Sequence, residues 1–138
     1  MQLRSGKFTN QPATNNTISV PCIPNVEYRQ FTINTKNGNT YNICSGSDLR
    51  DATLVSENLE YANLNGANLE YADFTDANLS NADLRGTHIE CTTFTGANFE
   101  KANLHRLNLN LSGLENTRFI NANLSGASLW CSDLTNSN

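Results

Sequence analysis

From Leu49 to Leu134 every fifth residue is large and apolar, and the series has no insertion. It reads Leu49, Leu54, Leu59, Leu64, Leu69, Phe74, Leu79, Leu84, Ile89, Phe94, Phe99, Leu104, Leu109, Leu114, Phe119, Leu124, Leu129, Leu134. A period of five matches neither the 3.6 of a helix nor the 2.0 of a strand. Two residues before each large residue sits Ala, Ser or Thr, except at Glu57 and Leu107. Residues two apart share one face of a short extended segment. The other three positions of each unit, mostly Asn, Asp, Gly, Ser or charged, are left to turn the chain and face water.

Segments such as Ala62-Asn63-Leu64-Asn65-Gly66 and Ala82-Asp83-Leu84-Arg85-Gly86 resemble the pentapeptide-repeat family, whose motif is A-(D/N)-L-x-x. The resemblance covers about two-thirds of the chain. It implies an all-β fold, a right-handed quadrilateral β-helix with four units per coil. Eighteen units would then make between four and five coils, a rod of roughly 22 Å at the ~4.8 Å strand spacing. Each coil presents backbone N–H and C=O groups above and below, and stacking pairs them. No unit is stable alone, so stability comes from the interfaces between neighbours.

With about twenty residues per coil, residues twenty apart are stacked neighbours. The central residues then fall into columns. Leu54, Phe74, Phe94, Leu114 and Leu134 form one; Leu59, Leu79, Phe99 and Phe119 form another. The remaining two columns are wholly aliphatic, so every phenylalanine of the repeat falls in an adjacent pair.

The chain ahead of the repeat has two parts. Residues 1–16 are polar and aperiodic, as expected of an extended or flexible tail. Residues 17–46 carry Val20, Ile23, Val26, Tyr28, Phe31, Ile33, Tyr41 and Ile43. Two strands, Tyr28 to Asn34 and Thr40 to Cys44, flank an Asn37-Gly38 turn signal, which predicts a β-hairpin. An open solenoid edge invites association, so this segment is expected to cap the first coil, with the repeat domain following over residues 47–136. The inward position of Glu57 suits a site near such a boundary.

Charge divides along the chain. Up to Gly46, Arg4, Lys7, Arg29 and Lys36 face the single acid Glu27, whereas from Ser47 onward acids outnumber bases twelve to five. An acidic body argues against direct nucleic-acid binding, which needs a basic footprint. No apolar run reaches the ~20 residues of a membrane helix, and Met1 to Asn10 show no signal-peptide core. The expectation is a soluble protein, cytoplasmic ahead of periplasmic or lumenal, with no membrane partner.

Nothing in the sequence points to catalysis or to a cofactor. His88 and His105 lie in different columns and at different places in their units, and no Ser, Cys or Lys recurs with a His and an acid. The glycines are turn residues placed by the repeat, and no phosphate-binding glycine motif occurs. Four cysteines without a CxxC pair exclude the usual zinc spacing. Cys91 and Cys131 stand two coils apart, ~9–10 Å on that spacing, too far for a disulfide. Cys22 and Cys44, at the two ends of the cap segment, are the candidate disulfide.

One outer column, Asp51, Tyr71, Cys91, Leu111, Cys131, is apolar from Tyr71 onward, and Trp130 lies beside its lower end. Contiguous exposed apolar residues mark interfaces, so Tyr71, Leu111, Ile120, Trp130 and Cys131 are the candidate interaction residues. Leu107 breaks the small-residue rule in the same face and is expected to bulge it. The last coil offers an uncovered edge beside Ile120 and Trp130, which predicts a weak end-to-end homodimer. The family resemblance implies a binding scaffold in most members. A minority are implied to be acidic mimics of duplex DNA that inhibit type II topoisomerases. The expected function is therefore a non-catalytic protein-binding module, with DNA mimicry toward a basic enzyme as the alternative. Here Arg50, Arg85, Lys101, Arg106 and Arg118 interrupt the acids, and the apolar C-terminal helix through which those mimics dimerise has no counterpart.

Overall fold

The structure, a computed structural model, describes residues 31–138. Expectations that fall on residues 1–30, among them the tail, Cys22 and the first part of the hairpin's leading strand, lie outside the described residues.

β1 (Phe31–Asn34) and β2 (Thr40–Ile43) pair antiparallel, with Phe31 opposite Ile43 and Asn34 opposite Thr40. The loop between them closes through Thr35 N–H to Asn39 C=O and Gly38 N–H to Thr35 C=O. Gly38 takes φ 86° there, a conformation a β-carbon resists. Ile33, Tyr41 and Ile43 are buried in one apolar cluster with Leu49 and Leu54. The Tyr41 hydroxyl accepts a hydrogen bond from the Thr53 N–H at 3.3 Å. The hairpin's apolar face thus continues the bore of the rod. Cys44 is buried and disulfide-bonded.

From Ser47 the chain is a right-handed quadrilateral β-helix. Parallel bridges join residues twenty apart, as in Asp48 with Asn68 and Thr53 with Asp73, so one coil is twenty residues. Four faces result. Face 1 holds the units centred on Leu49, Leu69, Ile89, Leu109 and Leu129. Face 2 holds those on Leu54, Phe74, Phe94, Leu114 and Leu134. Face 3 holds those on Leu59, Leu79, Phe99 and Phe119, and face 4 those on Leu64, Leu84, Leu104 and Leu124. The central residues fill the bore and are buried until the last coil, where Phe119, Leu124 and Leu129 become partly exposed and Leu134 is open. Phe74 stacks on Phe94 with centroids 5.4 Å apart, and Phe99 on Phe119 at 5.3 Å. Phe94 meets Phe99 edge-on at 5.3 Å, which links the two columns into one aromatic run.

Each unit makes one corner. The central C=O accepts the N–H three residues on, as in Ala52 N–H to Leu49 C=O. The residue two after the centre takes a left-handed backbone in every unit, from Asp51 to Asn136. This is a turn of the type II kind, which calls for positive φ at its third residue. The Asn or Asp before the centre has its own task. Its side-chain oxygen accepts the N–H two residues on, as in Asn68 to Glu70 at 3.0 Å and Asp73 to Thr75 at 2.9 Å. That N–H is absent from the inter-coil ladder, so an Asn or Asp at this place satisfies it locally. Where Ser47, Thr87, Thr92, Thr117 or Ser132 replaces the small Ala, its hydroxyl donates to a backbone carbonyl, as Thr92 does to Leu69 at 2.7 Å. Among the described residues no buried side-chain polar atom lacks a partner.

The ladder has one break. Elsewhere each central N–H from Leu49 to Phe119 reaches the coil below, as Leu69 does to the His88 C=O at 2.7 Å. Between the third and fourth coils the backbone bonds that would join Ile89 to Asn108, Cys91 to Asn110 and Gly86 to His105 are missing, as are those from Asn108 to Thr87 and Gly113 to Thr92. Leu107 stands at this level, 2 % exposed in a wall position that Ser47, Ala67, Thr87 and Ala127 fill in the other coils of face 1. Its greater bulk accounts for a wall parted on face 1 and at its edges with faces 4 and 2. Glu57, the other departure from the small-residue rule, is only half-buried.

Candidate functional site

The corners decide which side chains the rod displays. A left-handed corner residue points away from the bore, so whatever occupies it is offered to solvent. Glycine fills it at Gly66, Gly86, Gly96 and Gly126, and Asn or Asp at Asp51, Asp76, Asn81, Asn116, Asn121 and Asn136. These residue types tolerate positive φ. Less suited residues stand there at Ser56, Tyr61, Lys101 and Arg106, never in successive coils of one corner. Tyr71, Cys91, Leu111 and Cys131 are equally unsuited, yet they stand in consecutive coils at φ 60°, 56°, 59° and 55°. They form a ridge along the corner where face 1 turns into face 2. Tyr71 is 62 % and Leu111 73 % exposed, and Trp130, on face 1 beside Cys131, is 70 % exposed.

The structure therefore brings Tyr71, Leu111, Trp130 and Cys131 together on one edge. Ile120 is set apart on face 3, 38 % exposed, and belongs with the last coil rather than with the ridge. Both Cys91 and Cys131 are exposed and free. Of the candidate pair Cys22 and Cys44, Cys44 is disulfide-bonded and Cys22 lies outside the described residues.

Charge is distributed by face. Face 1 carries Asp48, Asp51, Glu70 and Glu90; face 2 carries Asp73, Asp76, Glu115 and Asp133. Arg50 is the single Lys or Arg on these two faces, and it is ion-paired to Asp48 at 2.6 Å. The Arg50 guanidinium, first by its hydrogen bonds, holds the Asp48 carboxyl below its ordinary range. The hydroxyl and N–H of Thr135 do the same for Asp133. On faces 3 and 4 the bases Arg85, Lys101, Arg106 and Arg118 equal the acids Glu57, Glu60, Asp83 and Glu100 in number. Ion pairs there join Arg85 to Asp83 at 2.7 Å and both Lys101 and Arg118 to Glu100. The acid excess of the repeat thus lies on the two faces that meet at the apolar ridge. Sequence reading by single columns missed this grouping, although assigning each acid to its face would have shown it.

Among the described residues no cluster of His, Cys, Asp and Glu could hold a metal ion. No helix among them is long and apolar enough to cross a membrane.

These features define a class: a repeat solenoid whose regular interior carries a variable outer surface. The pentapeptide-repeat family model matches residues 43–81, 77–112 and 114–138 in eight copies, and the chain belongs to that family. No curated protein matches the sequence. Among solved structures the chain is similar to QnrB1, described as a plasmid-mediated fluoroquinolone resistance protein. The trypsin-treated form aligns with TM-score 0.65 and 27 % identity over 68 % of this chain and 45 % of that one. The full-length form aligns with TM-score 0.61 and 24 % identity, over 68 % and 49 %. A pentapeptide-repeat protein of the Arabidopsis thaliana thylakoid lumen aligns with TM-score 0.30 and 26 % identity, over 68 % of this chain and 59 % of that one. The chain spans about half the length of the QnrB1 chains it matches.

Proposed function

We propose that this chain is a non-catalytic protein-binding scaffold. The observation that carries the reading is the ridge. Tyr71 and Leu111 each occupy a left-handed corner that Gly, Asn or Asp would fill at less cost, and each points into solvent. An apolar side chain placed against its backbone preference and left mostly exposed contributes little to the packing of the rod. Its use is a contact made in trans. The test is a pull-down from native extract with the wild type beside a Tyr71→Ser, Leu111→Ser variant. A partner retained by the wild type and lost by the variant supports the reading. Identical recovery by both chains, or none by either, counts against it.

A second reading has its own support. The acid excess of faces 1 and 2 suits a mimic of duplex DNA that occupies a basic enzyme such as a type II topoisomerase. A supercoiling assay with purified topoisomerase separates the two: inhibition that survives Leu111→Ser but not neutralisation of the acids favours mimicry.

The last described coil supports a further contact, a weak dimer of two copies. Leu134 is 41 % exposed, and the N–H groups of Leu124, Leu129 and Leu134 donate to no backbone carbonyl. An end-to-end two-fold contact through this level, with Ile120 and Trp130 at its rim, would cover both edges. Sedimentation at several concentrations tests it. A wild type that stays monomeric at high concentration, like a Trp130→Glu, Ile120→Glu variant, removes the idea.

A further inference from the structure

Two unlike features share one edge of the rod. The first is the apolar ridge, with Tyr71 and Leu111 standing out from it. The second is the acid excess of the faces on either side. Glu70 and Glu90 precede the corner by one residue in their coils, and Asp73 and Asp133 follow it by two. Each is therefore a near neighbour of the ridge. No base shares the edge with them except Arg50 in the first coil, already held by Asp48 at 2.6 Å.

We propose that this edge is a docking surface for a protein whose contact patch is an apolar groove rimmed by Lys and Arg. The inference rests on the protein-binding reading and narrows it to one edge and one partner chemistry. The groove takes Leu111 and Tyr71, and the rim takes the carboxylates of the two flanking faces. Complementary charge steers encounter and sets register, while the buried apolar anchors hold the complex.

Other occupants fit less well. A second copy would bring an identical acidic edge against this one, and like charges in juxtaposition oppose association. Nucleic acid is repelled for the same reason. An anionic lipid surface attracts basic segments, not an edge flanked by acids. A partner that read charge alone would gain nothing from Leu111, 73 % exposed between the acids.

The experiment uses the full chain labelled for amide NMR and three synthetic peptides at about 0.1 M salt, where surface charge is felt but distant charge is screened. One peptide alternates Leu with Lys, one alternates Ser with Lys, and one alternates Leu with Glu. The Leu–Lys peptide is expected to shift the amides of Tyr71, Cys91, Leu111 and Glu90 ahead of those on faces 3 and 4. Affinity for it should fall about tenfold or more in Tyr71→Ser, Leu111→Ser, the scale of losing an interface anchor. A Glu70→Gln, Glu90→Gln variant should also weaken it and flatten its salt dependence. Equal binding of the Ser–Lys peptide overturns the proposal in favour of charge alone, the mimicry reading. Equal binding of the Leu–Glu peptide, or no shift on this edge with any peptide, also overturns it. Shifts confined to another face overturn the edge assignment while leaving the scaffold reading intact. That reading fails separately, on the pull-down. Tyr71, Glu90 and Leu111 are exposed and Glu70 is half-buried, so an unchanged amide spectrum away from the edge is required to show that each variant is folded.

Discussion

Replacing Leu111 by glycine should spare or strengthen the fold while destroying the contact. Leu111 sits at φ 59° with 73 % of its surface open. A β-carbon in the left-handed region costs about 1–2 kcal/mol, and removing it relieves that cost. Glycine returns about 0.5–1 kcal/mol of the gain through the greater freedom of its unfolded chain. So exposed a side chain has little packing to lose. Leu111→Gly should therefore leave the unfolding free energy unchanged or raise it, by up to about 1.5 kcal/mol. Leu109 stands two residues earlier and is 0 % exposed; Leu109→Ala should lower it by about 2–5 kcal/mol, as buried Leu truncations do. Urea titrations of both variants with the wild type, compared at unchanged slope, measure the two effects. The same Leu111→Gly protein should bind the Leu–Lys peptide more weakly. A fall in stability of about 1 kcal/mol or more, the scale of an average destabilising substitution, would show that Leu111 serves the fold and is not spare for a partner.

Three further outcomes are expected. Leu84→Ala, at a side chain 0 % exposed in the bore, should cost about 2–5 kcal/mol. Asn65→Ala on the outer surface of the same column should cost under about 0.5 kcal/mol, and similar denaturant midpoints for the two would refute the register. Gly96→Ala should cost about 1–2 kcal/mol for its left-handed backbone. It also sets a β-carbon against the Asp76 carboxylate, so adding Asp76→Ala should recover part of the loss, and strict additivity would argue against that contact. In native-state hydrogen exchange the amides of Ile89 and Asn108 should exchange well ahead of those of Leu69 and Leu109 on the same face, because only the latter donate to another coil or turn. Comparable protection across all four would mean that the ladder is closed.

Much of this was legible because a repeat of constant length gives every residue a fixed address. The central series, the coil of twenty and the pairing of Phe74 with Phe94 and Phe99 with Phe119 all follow from counting. The ridge was visible as a column, but its backbone was not read. Gly66, Gly86, Gly96 and Gly126, with Asn or Asp at the same place in other units, already marked that place as a left-handed corner. Tyr71 and Leu111 could have been recognised there as costly choices. Leu107 was seen as an exception, but its effect was not derivable in detail. Whether a larger side chain in the wall is absorbed or parts the coils depends on packing in three dimensions. The hairpin was legible from Asn37-Gly38, and its contact with the bore was foreshadowed only by its apolar residues.

The parted wall at Leu107 gives the rod a seam. Coils on either side remain joined through the other faces, so the seam does not divide the chain into domains. It does make one level cheaper to flex than the rest, since the ladder bonds that would resist bending there are absent on face 1 and at its edges with faces 4 and 2. Mechanical load or a local opening would be felt first at this level. The ridge crosses it, with Cys91 above and Leu111 below. A protein gripping both sides would act as a splint, and stiffening the rod and tightening the grip would then be one linked equilibrium.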